Sequence, residues 1–539
     1  MKMTKRIAAA VAAMTMAVSV MAATGSMGAW ATTTSEGYSI TINNASTDKG
    51  THTYQYAQLF TGTVDGEGKI TNASFGSGVS SATLISALKT FGTDNNIAEL
   101  GSLANDADAN AVVAALSKVT DADAAAKLAK ALKPVVTTFT DLSSTTKVPA
   151  GYYLINDKAD PTMVDGEPNS GAKTAFLLKV VKNEDLTAIS KSAAPTVDKQ
   201  VYDNDDGVTA GENNGWGETA DHAINEEFQF KLIATIPNDP NIDAYKYYTL
   251  KFTDTLGEGV VFDKIDSVTV GTKTLEATEY NTSVQANDTN KAWTLEIPDA
   301  KLGNKNANLK GVVVEVVYTA HLNEAARVAG TADDNNQNKV KLEYSNNPNY
   351  EGTGIPEEEN TKGETPEDTV FVFTYKVDNV KVDKEDHNTK LPDAEFKVTK
   401  GAADGVALKF KWSDDKNAYV VDPTGEEKIV SKTDGKFNII GLDAGTYFVT
   451  ETKAPEGYNL NSTPVEIQIT ATHDESSADV PSLTLTETSD GVFEYENAQG
   501  GTLPETGGIG TTLFYVGGGA MAAAAGIVLV VRKRAKREQ

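Results

Sequence analysis

Hydrophobic and polar residues alternate with a period of two over much of the chain between residues 195 and 496. This alternation is typical of strands with one buried face. A polar stretch rich in Gly, Pro and Glu, residues 349–368, interrupts the pattern and predicts a linker or long loop. The pattern therefore predicts two antiparallel, immunoglobulin-like β-sandwiches in series. In the first of them it predicts strands at 228–232, 247–252, 292–297, 311–318 and 340–344.

The preceding region, residues 32–190, has a mixed pattern. Residues 38–42 and 151–155 alternate like strands, whereas Val112, Leu116 and Val119 recur at helical spacing. Residues 121–132 are rich in Ala, Lys and Leu, begin at an Asp cap and stop before a proline, which predicts a helix. We therefore expect a mostly β protein whose N-terminal domain also contains helices.

Both ends of the chain have the composition of targeting segments. Residues 1–31 combine a basic start, an apolar core and the small-residue pattern Ala29-Trp30-Ala31, which predicts a cleaved signal peptide. Residues 513–531 contain no charge and are long enough to span a bilayer as a helix, and the basic residues 532–537 that follow predict a cytoplasmic end. The expected division is a signal peptide, three exported domains and a C-terminal anchor: 1–31, 32–192, 193–368, 369–500 and 501–539.

Composition excludes several classes of function. The net charge of −27 argues against nucleic-acid binding. No cysteine is present, so neither disulfides nor thiol chemistry can occur. The five histidines are scattered along the sequence. The acidic run 203–207 lacks the glutamate of a calcium loop and predicts a hairpin turn. We expect no metal, no cofactor and no turnover of an external substrate.

Polar side chains recur on strand faces that should be buried. In the stretch YFVTETKAPEGY, residues 447–458, Glu451 shares its face with Tyr447 and Val449. By the same alternation, Lys384 shares a face with valines near the start of this sandwich, and Asn497 lies in line with aromatic residues on its last strand.

The first sandwich repeats the set. Lys199 lies between two valines, Asp254 follows an apolar run, and Asn338 precedes another. One inward polar residue at a strand end is ordinary, but the recurrence of a lysine, an acid and an asparagine points to a shared chemistry.

These three residue types can form an amide bond between lysine and asparagine. A buried lysine loses its proton because desolvation disfavours the cation, and its neutral amine can attack the Asn amide carbon. A carboxyl group in an apolar site can polarise that amide and move protons to the departing ammonia. The sequence therefore predicts one internal covalent bond in each sandwich.

The residues after Glu451 resemble a known motif. Glu451-Thr452-x-Ala454-Pro455-x-Gly457-Tyr458 is similar to the E-box of Gram-positive pilins and collagen-adhesin B-type domains. The resemblance implies that Glu451 catalyses a bond between Lys384 and Asn497. Lys384 precedes the segment 391–396 by the family's spacing, although Asp393 stands where the family usually has glycine.

Residues 195–348 resemble the central isopeptide-forming domain of major (shaft) pilins. The resemblance implies a bond between Lys199 and Asn338 with an aspartate as the catalytic acid, which indicates Asp254. Glu226, in line with two phenylalanines, is the alternative acid.

The pentapeptide Leu503-Pro504-Glu505-Thr506-Gly507 resembles the LPXTG sorting signal, and the apolar span and basic tail that follow strengthen the resemblance. It implies that a sortase cleaves after Thr506 and passes the Thr506 carbonyl to an amine. If that amine belongs to the peptidoglycan precursor, the product is a wall-anchored monomer. If it is a lysine of another copy, the product is a pilus shaft.

The linking lysine is where the sequence departs from the family. The Tyr-Pro-Lys-Asn element of shaft pilins is absent, but Lys191 lies at the matching distance, with Lys182 as the alternative. The resemblance thus implies a pilus subunit of a Gram-positive cell wall that supports adhesion, with a monomeric surface adhesin as the other reading. Its expected partners are sortase, other copies of itself, minor pilins, peptidoglycan and host surface ligands.

Overall fold

The computed structural model describes most of the exported part of the chain. The described residues are 37–43, 52–158, 177–182, 184–189, 194–203, 215–304, 307–328, 336–348, 350, 352, 362–472, 482–485 and 491–500. The predicted signal peptide, Lys191, the sorting signal and the predicted transmembrane segment lie outside these residues. Within them, no helix is long and apolar enough to cross a membrane.

The N-terminal domain combines two sheets with four helices. A five-stranded sheet in the order β3-β2-β6-β7, with β4 on β2, packs against the helices, and a smaller sheet has the order β5-β1-β8. The strands are β1 (Tyr38–Asn43), β2 (Tyr54–Val64), β3 (Ile70–Phe75), β4 (Thr140–Asp141), β5 (Lys147–Val148), β6 (Gly151–Asp157), β7 (Leu177–Val181) and β8 (Leu186–Ile189); the helices are α1 (Ser81–Asp94), α2 (Ala98–Gly101), α3 (Ala109–Leu116) and α4 (Ala122–Leu132), with a 3₁₀ turn at Lys133–Val135.

The sequence predicted α3 and α4 but not α1 and α2. Asp121 does cap α4, since its carboxylate accepts a hydrogen bond from the Ala124 N–H at 2.9 Å. Helix α1 buries Leu84, Leu88 and Phe91 at helical spacing, a signal that its many Ser, Thr and Gly residues obscure.

The central domain is a sandwich of a six-stranded and a seven-stranded sheet around one core. The first sheet has the order β10-β9-β12-β18-β14-β15 and the second β11-β21-β19-β13-β17-β16, with β20 on β19. The strands are β9 (Thr196–Tyr202), β10 (Trp216–Gly217), β11 (Thr219–Asp221), β12 (Glu227–Thr235), β13 (Leu250–Leu256), β14 (Val260–Val270), β15 (Lys273–Thr274), β16 (Asn281–Thr282), β17 (Ala292–Ile297), β18 (Val313–Leu322), β19 (Gln337–Ser345), β20 (Lys362–Glu364) and β21 (Asp368–Phe373), with a 3₁₀ turn at Pro240–Ala244.

The C-terminal domain is a sandwich of two five-stranded sheets, ordered β24-β25-β27-β22-β31 and β26-β23-β28-β29-β30. Within the first sheet, β22 pairs with β31 in parallel, as β25 does with β27, so the expected all-antiparallel pairing is wrong there. The strands are β22 (Tyr375–Asp383), β23 (Glu395–Lys400), β24 (Phe410–Ser413), β25 (Ala418–Val421), β26 (Ile429–Val430), β27 (Ile439–Leu442), β28 (Gly445–Lys453), β29 (Val465–Thr472), β30 (Ser482–Leu485) and β31 (Val492–Asn497).

The border between the two sandwiches lies later than the predicted residue 368. Strand β21 pairs with β19 and, in parallel, with β11, so the central sheet continues to Phe373. Part of the predicted linker is also structured, since β20 pairs with β19.

Hydrogen bonds connect the domains at both junctions. Lys130 of α4 donates hydrogen bonds to the Ala244 and Pro348 carbonyl oxygens of the central domain, at 2.7 and 2.8 Å. At the other junction, the Ile224 N–H donates to the Gly441 carbonyl oxygen at 3.0 Å, and Asn225 Nδ2 to the Val421 carbonyl oxygen at 2.8 Å.

The chain leaves the C-terminal domain beside the loop after β28. Tyr458 and Gln499 form a β-bridge, and the Gly500 N–H donates to the Gly457 carbonyl oxygen at 2.8 Å. The polypeptide is therefore held in place up to residue 500.

Candidate bond-forming sites

The core of the central domain contains a cluster of four polar side chains. Lys199 on β9 and Tyr318 on β18 come from one sheet, and Asp254 on β13 and Asn338 on β19 come from the other. The exposed fraction is 0% for all four residues. They meet because alternation aims each side chain into the sandwich, where Lys199 lies in line with Val197 and Val201.

Contacts within this cluster join every member. Lys199 Nζ bonds to the Asp254 carboxylate and lies 3.2 Å from the Tyr318 hydroxyl oxygen. The Tyr318 hydroxyl lies 3.3 and 3.2 Å from the two Asp254 carboxylate oxygens. Asn338 Nδ2 donates to the Tyr318 oxygen at 2.5 Å.

Burial shifts the protonation of this cluster toward neutral groups. Desolvation lowers the pKa of Lys199, against the opposing pull of the Asp254 charge. Desolvation also raises the pKa of Asp254, against the opposing effect of Lys199. Both shifts favour an uncharged amine beside a carboxylic acid, the pair that an attack on an amide needs.

The sequence prediction located three of the four residues. Lys199, Asp254 and Asn338 are brought together, whereas Tyr318 was missed because a buried tyrosine in an alternating strand carries no separate signal. Glu226, the alternative acid, lies elsewhere: it accepts a hydrogen bond from the Ala223 N–H at 3.1 Å, and no described contact joins it to Lys199.

The C-terminal domain holds a second cluster, of Lys381, Glu451 and Asn497. Lys381 on β22 and Asn497 on β31 come from one sheet, and Glu451 on β28 faces them from the other. Lys381 Nζ lies 3.5 Å from Glu451 Oε1, and Asn497 Nδ2 donates to Glu451 Oε2 at 2.9 Å. Desolvation lowers the pKa of Lys381. Glu451 therefore contacts both the amine and the amide.

The prediction that Lys384 is the lysine of this cluster is wrong. Lys384 is exposed beyond the end of β22, and its described contact is a backbone hydrogen bond to the Asn497 carbonyl oxygen. The prediction of Lys384 assumes that Val380 and Val382 mark the core face of β22. Both valines are buried, but neither belongs to the hydrophobic core of the domain, which contains Tyr375 and Val377, in line with Lys381 on the same strand. The inward face carries Lys381.

This second cluster reaches the surface through a cleft of about 170 Å³. Lys381, Glu451, Glu494 and Glu496 are among the residues that line it. His387 Nδ1 lies 2.6 Å from Glu494 Oε2 at the exposed side. The cleft gives a small molecule a path between the cluster and solvent.

Histidine and acidic side chains do not gather into a metal-binding group in the described part of the chain. There, no three His, Asp or Glu side chains are placed to hold a metal ion. Of the acidic run 203–207, only Asp203 is described, and its carboxylate accepts a hydrogen bond from the Asp221 N–H at 3.0 Å.

Comparison with known families bears on the C-terminal part of the chain. Residues 378–482 match the SpaA prealbumin-like fold domain, and residues 495–537 match the LPXTG cell wall anchor motif. The chain carries a cell-wall anchor. The anchor match confirms the sorting signal predicted from residues 503–507, and the domain match covers Lys381 and Glu451.

Relatives extend the likeness beyond these two segments. The chain is 24% identical over 417 residues to the trypsin-resistant surface T6 protein of Streptococcus pyogenes serotype M6, covering 65% of this chain and 71% of that protein. Among solved structures, it is similar to the T6 backbone pilin of serotype M6 S. pyogenes (15% identity, 85% of this chain, 98% of that chain, TM-score 0.46). It is also similar to the major pilin SpaD of Corynebacterium diphtheriae (16% identity, 86% of this chain, 98% of that chain, TM-score 0.44).

The family and sequence matches confirm the predicted resemblance to wall-anchored Gram-positive pilins, and the structure confirms the mostly β fold. The protein is therefore a surface protein of a Gram-positive cell wall.

Proposed function

We propose that this chain is the shaft subunit of a sortase-assembled, wall-anchored pilus, and that two internal amide bonds, Lys199–Asn338 and Lys381–Asn497, stabilise it. The observation that carries the proposal is the repeated burial of a lysine, an acid and an asparagine in contact within two successive sandwiches of a wall-anchored chain.

Each bond forms without an external reactant. The acid takes a proton from the lysine ammonium, and the neutral Nζ attacks Cγ of the asparagine. The Cγ–Nδ2 bond breaks, and the departing nitrogen leaves as ammonia after gaining one proton. The acid keeps the other proton, so charge and atoms balance. The protein thus acts once on each of its own domains and turns over no external substrate.

The two bonds would connect different parts of their sandwiches. Lys199–Asn338 would join β9 to β19, strands of opposite sheets. Lys381–Asn497 would join β22 to β31, neighbouring strands of one sheet and the first and last strands of that domain. In a chain without cysteine, these bonds would replace disulfides.

The mass of the chain tests this chemistry. Each bond removes one ammonia, about 17 Da, so the soluble exported part of the chain, purified without its sorting signal, is expected to be lighter by two such losses. Peptide mapping should recover Lys199 joined to Asn338 and Lys381 joined to Asn497. A mass equal to that of the unmodified chain would refute both bonds.

Sortase would join successive subunits through the Thr506 carbonyl. The anchor match implies sortase processing and attachment to peptidoglycan. Lys191 remains a candidate acceptor on its position in the sequence. Minor pilins and host surface ligands stay predictions.

Lys182 is the alternative acceptor, and its surroundings support it. Its Nζ donates to the Gly66 carbonyl oxygen at 2.8 Å, beside Gly68. Gly68 is one of the residues that line a groove of about 340 Å³, whose apolar members are Ile70, Val113, Leu116, Tyr152 and Val180. An amine at the edge of a groove with these apolar members is suited to receive a sorting signal whose Leu503 and Pro504 are apolar.

Denaturing electrophoresis of wall extracts separates the two candidate functions. A shaft subunit gives a ladder of high-mass species that disappears in Lys191→Ala or in Lys182→Ala, whichever lysine is the acceptor. A monomeric wall-anchored adhesin, which the missing Tyr-Pro-Lys-Asn element favours, gives a single band. A single band in the unaltered strain would refute the shaft.

A further inference from the structure

The two clusters differ in how the acid meets the asparagine. In the C-terminal domain, Glu451 contacts the Asn497 amide directly, at 2.9 Å. In the central domain, the described contacts of Asp254 in the cluster are with Lys199 and Tyr318, and the Asn338 amide nitrogen contacts Tyr318. The phenol therefore stands between acid and amide in one domain only.

We propose that Tyr318 is a catalytic residue of the Lys199–Asn338 bond and that its phenol carries a proton from Asp254 to the departing nitrogen of Asn338. This inference rests on the bond chemistry proposed above and adds a residue to it.

The length of the acid explains why a relay is needed. An aspartate side chain is one methylene shorter than a glutamate. Asp254 lies opposite Val340 in the β13–β19 pairing, two residues along the strand from Asn338. Its carboxylate contacts Lys199, and the Tyr318 hydroxyl completes the path to the amide. In the C-terminal cluster, the longer Glu451 spans both partners.

The Tyr318 ring is held in one position. It packs against Phe230, Phe262 and Trp293 with ring centroids 5.3, 5.6 and 5.3 Å away. Its strand, β18, pairs on both sides, with β12 and β14. Fixed rings and strands keep the hydroxyl within hydrogen-bond reach of its three partners, as a proton relay requires.

The proton path balances. After Asp254 has taken one proton from the Lys199 ammonium, Nζ attacks Cγ of Asn338. The phenol then gives its proton to Nδ2 and receives the Asp254 proton. The Cγ–Nδ2 bond breaks and ammonia leaves. Nζ, which still carries one proton too many, returns it to Asp254. The phenol is regenerated and the acid ends protonated.

A purely structural tyrosine makes a different prediction. In that case the Tyr318 hydroxyl only satisfies buried polar atoms, and its removal changes the stability of the domain but not the rate at which the bond forms. The rate of bond formation therefore distinguishes the two roles, and the second bond in the same chain is an internal control.

The experiment follows both bonds in the full-length chain during cell-free synthesis. Samples are quenched in acid, digested, and the two cross-linked peptides are quantified by mass spectrometry. In Tyr318→Phe, the Lys199–Asn338 peptide should appear on the order of 100-fold more slowly, the range of general acid catalysis, while the Lys381–Asn497 peptide keeps its rate. Unchanged rates for both peptides would overturn the relay.

Two further variants guard against a folding defect. Adding Asp254→Glu to Tyr318→Phe gives the acid the reach of Glu451 and should restore much of the rate. A folded double variant that stays slow contradicts the argument from reach.

Replacing Tyr318 by 3,5-difluorotyrosine keeps the shape of the side chain but makes its phenol more acidic, so the pH profile of bond formation should move. An unmoved profile would overturn the relay.

The outcome for the unaltered chain separates this inference from the proposed function. If the unaltered chain never yields the Lys199–Asn338 peptide, the bond itself is refuted. If the peptide forms and Tyr318→Phe forms it equally fast, only the role of Tyr318 fails.

Discussion

Two lysines three positions apart have opposite environments at the start of the C-terminal domain. Lys381 is 1% exposed and lies beside Glu451, whereas Lys384 is exposed. Because an amine must be buried to lose its proton and must reach the amide, only Lys381 meets the requirements of the proposed bond.

This difference gives a matched pair of variants. Lys381→Met should remove the C-terminal bond, so that one loss of ammonia, about 17 Da, disappears from the mass, and should lower the free energy of unfolding by about 4–5 kcal/mol, by analogy with a disulfide that closes a loop of about 100 residues. Lys384→Met should keep both the loss of ammonia and the free energy of unfolding of the unaltered chain, each mass being compared with the one calculated for its own sequence. Mass spectrometry and chemical denaturation measure both. Loss of the bond in Lys384→Met instead would contradict the structure.

The stability of the central domain should depend on pH once the acid of its cluster, Asp254, is removed. In Asp254→Ala the bond should not form, and Lys199 remains buried without its counter-charge. Burial lowers the pKa of Lys199 below the ordinary value of about 10.4 that it has when unfolded. Between those two pKa values the unfolded chain binds more protons, so stability should rise with pH.

We therefore expect the thermal midpoint of the central domain in Asp254→Ala to be higher at pH 9.5 than at pH 7. The control is the double variant Lys199→Met/Asp254→Ala, which has no buried amine and should lack this rise. Parallel curves for the two variants, measured by calorimetry, would show that Lys199 is not the titrating group.

At the scale of elements, the junction between the sandwiches depends on a glycine. Gly441 has φ +81°, and a Cβ there would lie 2.7 Å from Ile224 Cδ1 of the central domain. Gly401 also has φ +81°, but nothing lies within 4 Å of its Cβ position. The two glycines share the backbone requirement, but only at Gly441, which is buried in β27, would a Cβ meet the central domain.

Gly441→Ala should consequently cost more than Gly401→Ala. Both substitutions place an alanine in the left-handed region, at about 1–2 kcal/mol. The first also overpacks the junction by about 1–3 kcal/mol and should change the relative orientation of the two sandwiches. Denaturation and small-angle scattering measure these effects. Equal costs and identical scattering curves would mean that the Ile224 contact does not fix the junction.

Alternation along the chain predicted the strands and most of the cluster residues, since a sandwich strand with one wet face repeats its pattern every two residues. Lys199, Asn338 and Glu451 were found this way. The same argument failed for β22, because its residues from Asn379 to Asp383 are all buried, so that burial there does not alternate. Tyr318 could not be recognised, because only the fold shows that its hydroxyl meets three polar partners.

At the scale of the whole molecule, the two proposed bonds should shorten the part of the chain that can be stretched. A chain pulled by its ends should show no unfolding step that releases residues 199–338 or 381–497. In Asn338→Ala, a new step should release the first of these stretches, and in Asn497→Ala the second. Single-molecule force spectroscopy measures the released length. Such steps in the unaltered chain would contradict the bonds.

The chain is held against the loop after β28 up to Gly500, close to the sorting signal. Only the segment 501–506 separates Gly500 from the Thr506 carbonyl. Fully extended, this segment spans at most about 20 Å. Whatever amine receives Thr506 must therefore come within about 20 Å of Gly500. In a shaft, the acceptor lysine of each subunit would therefore lie close to the C-terminal domain of the subunit before it, and the axial repeat would be set by the distance between Gly500 and that lysine within one subunit.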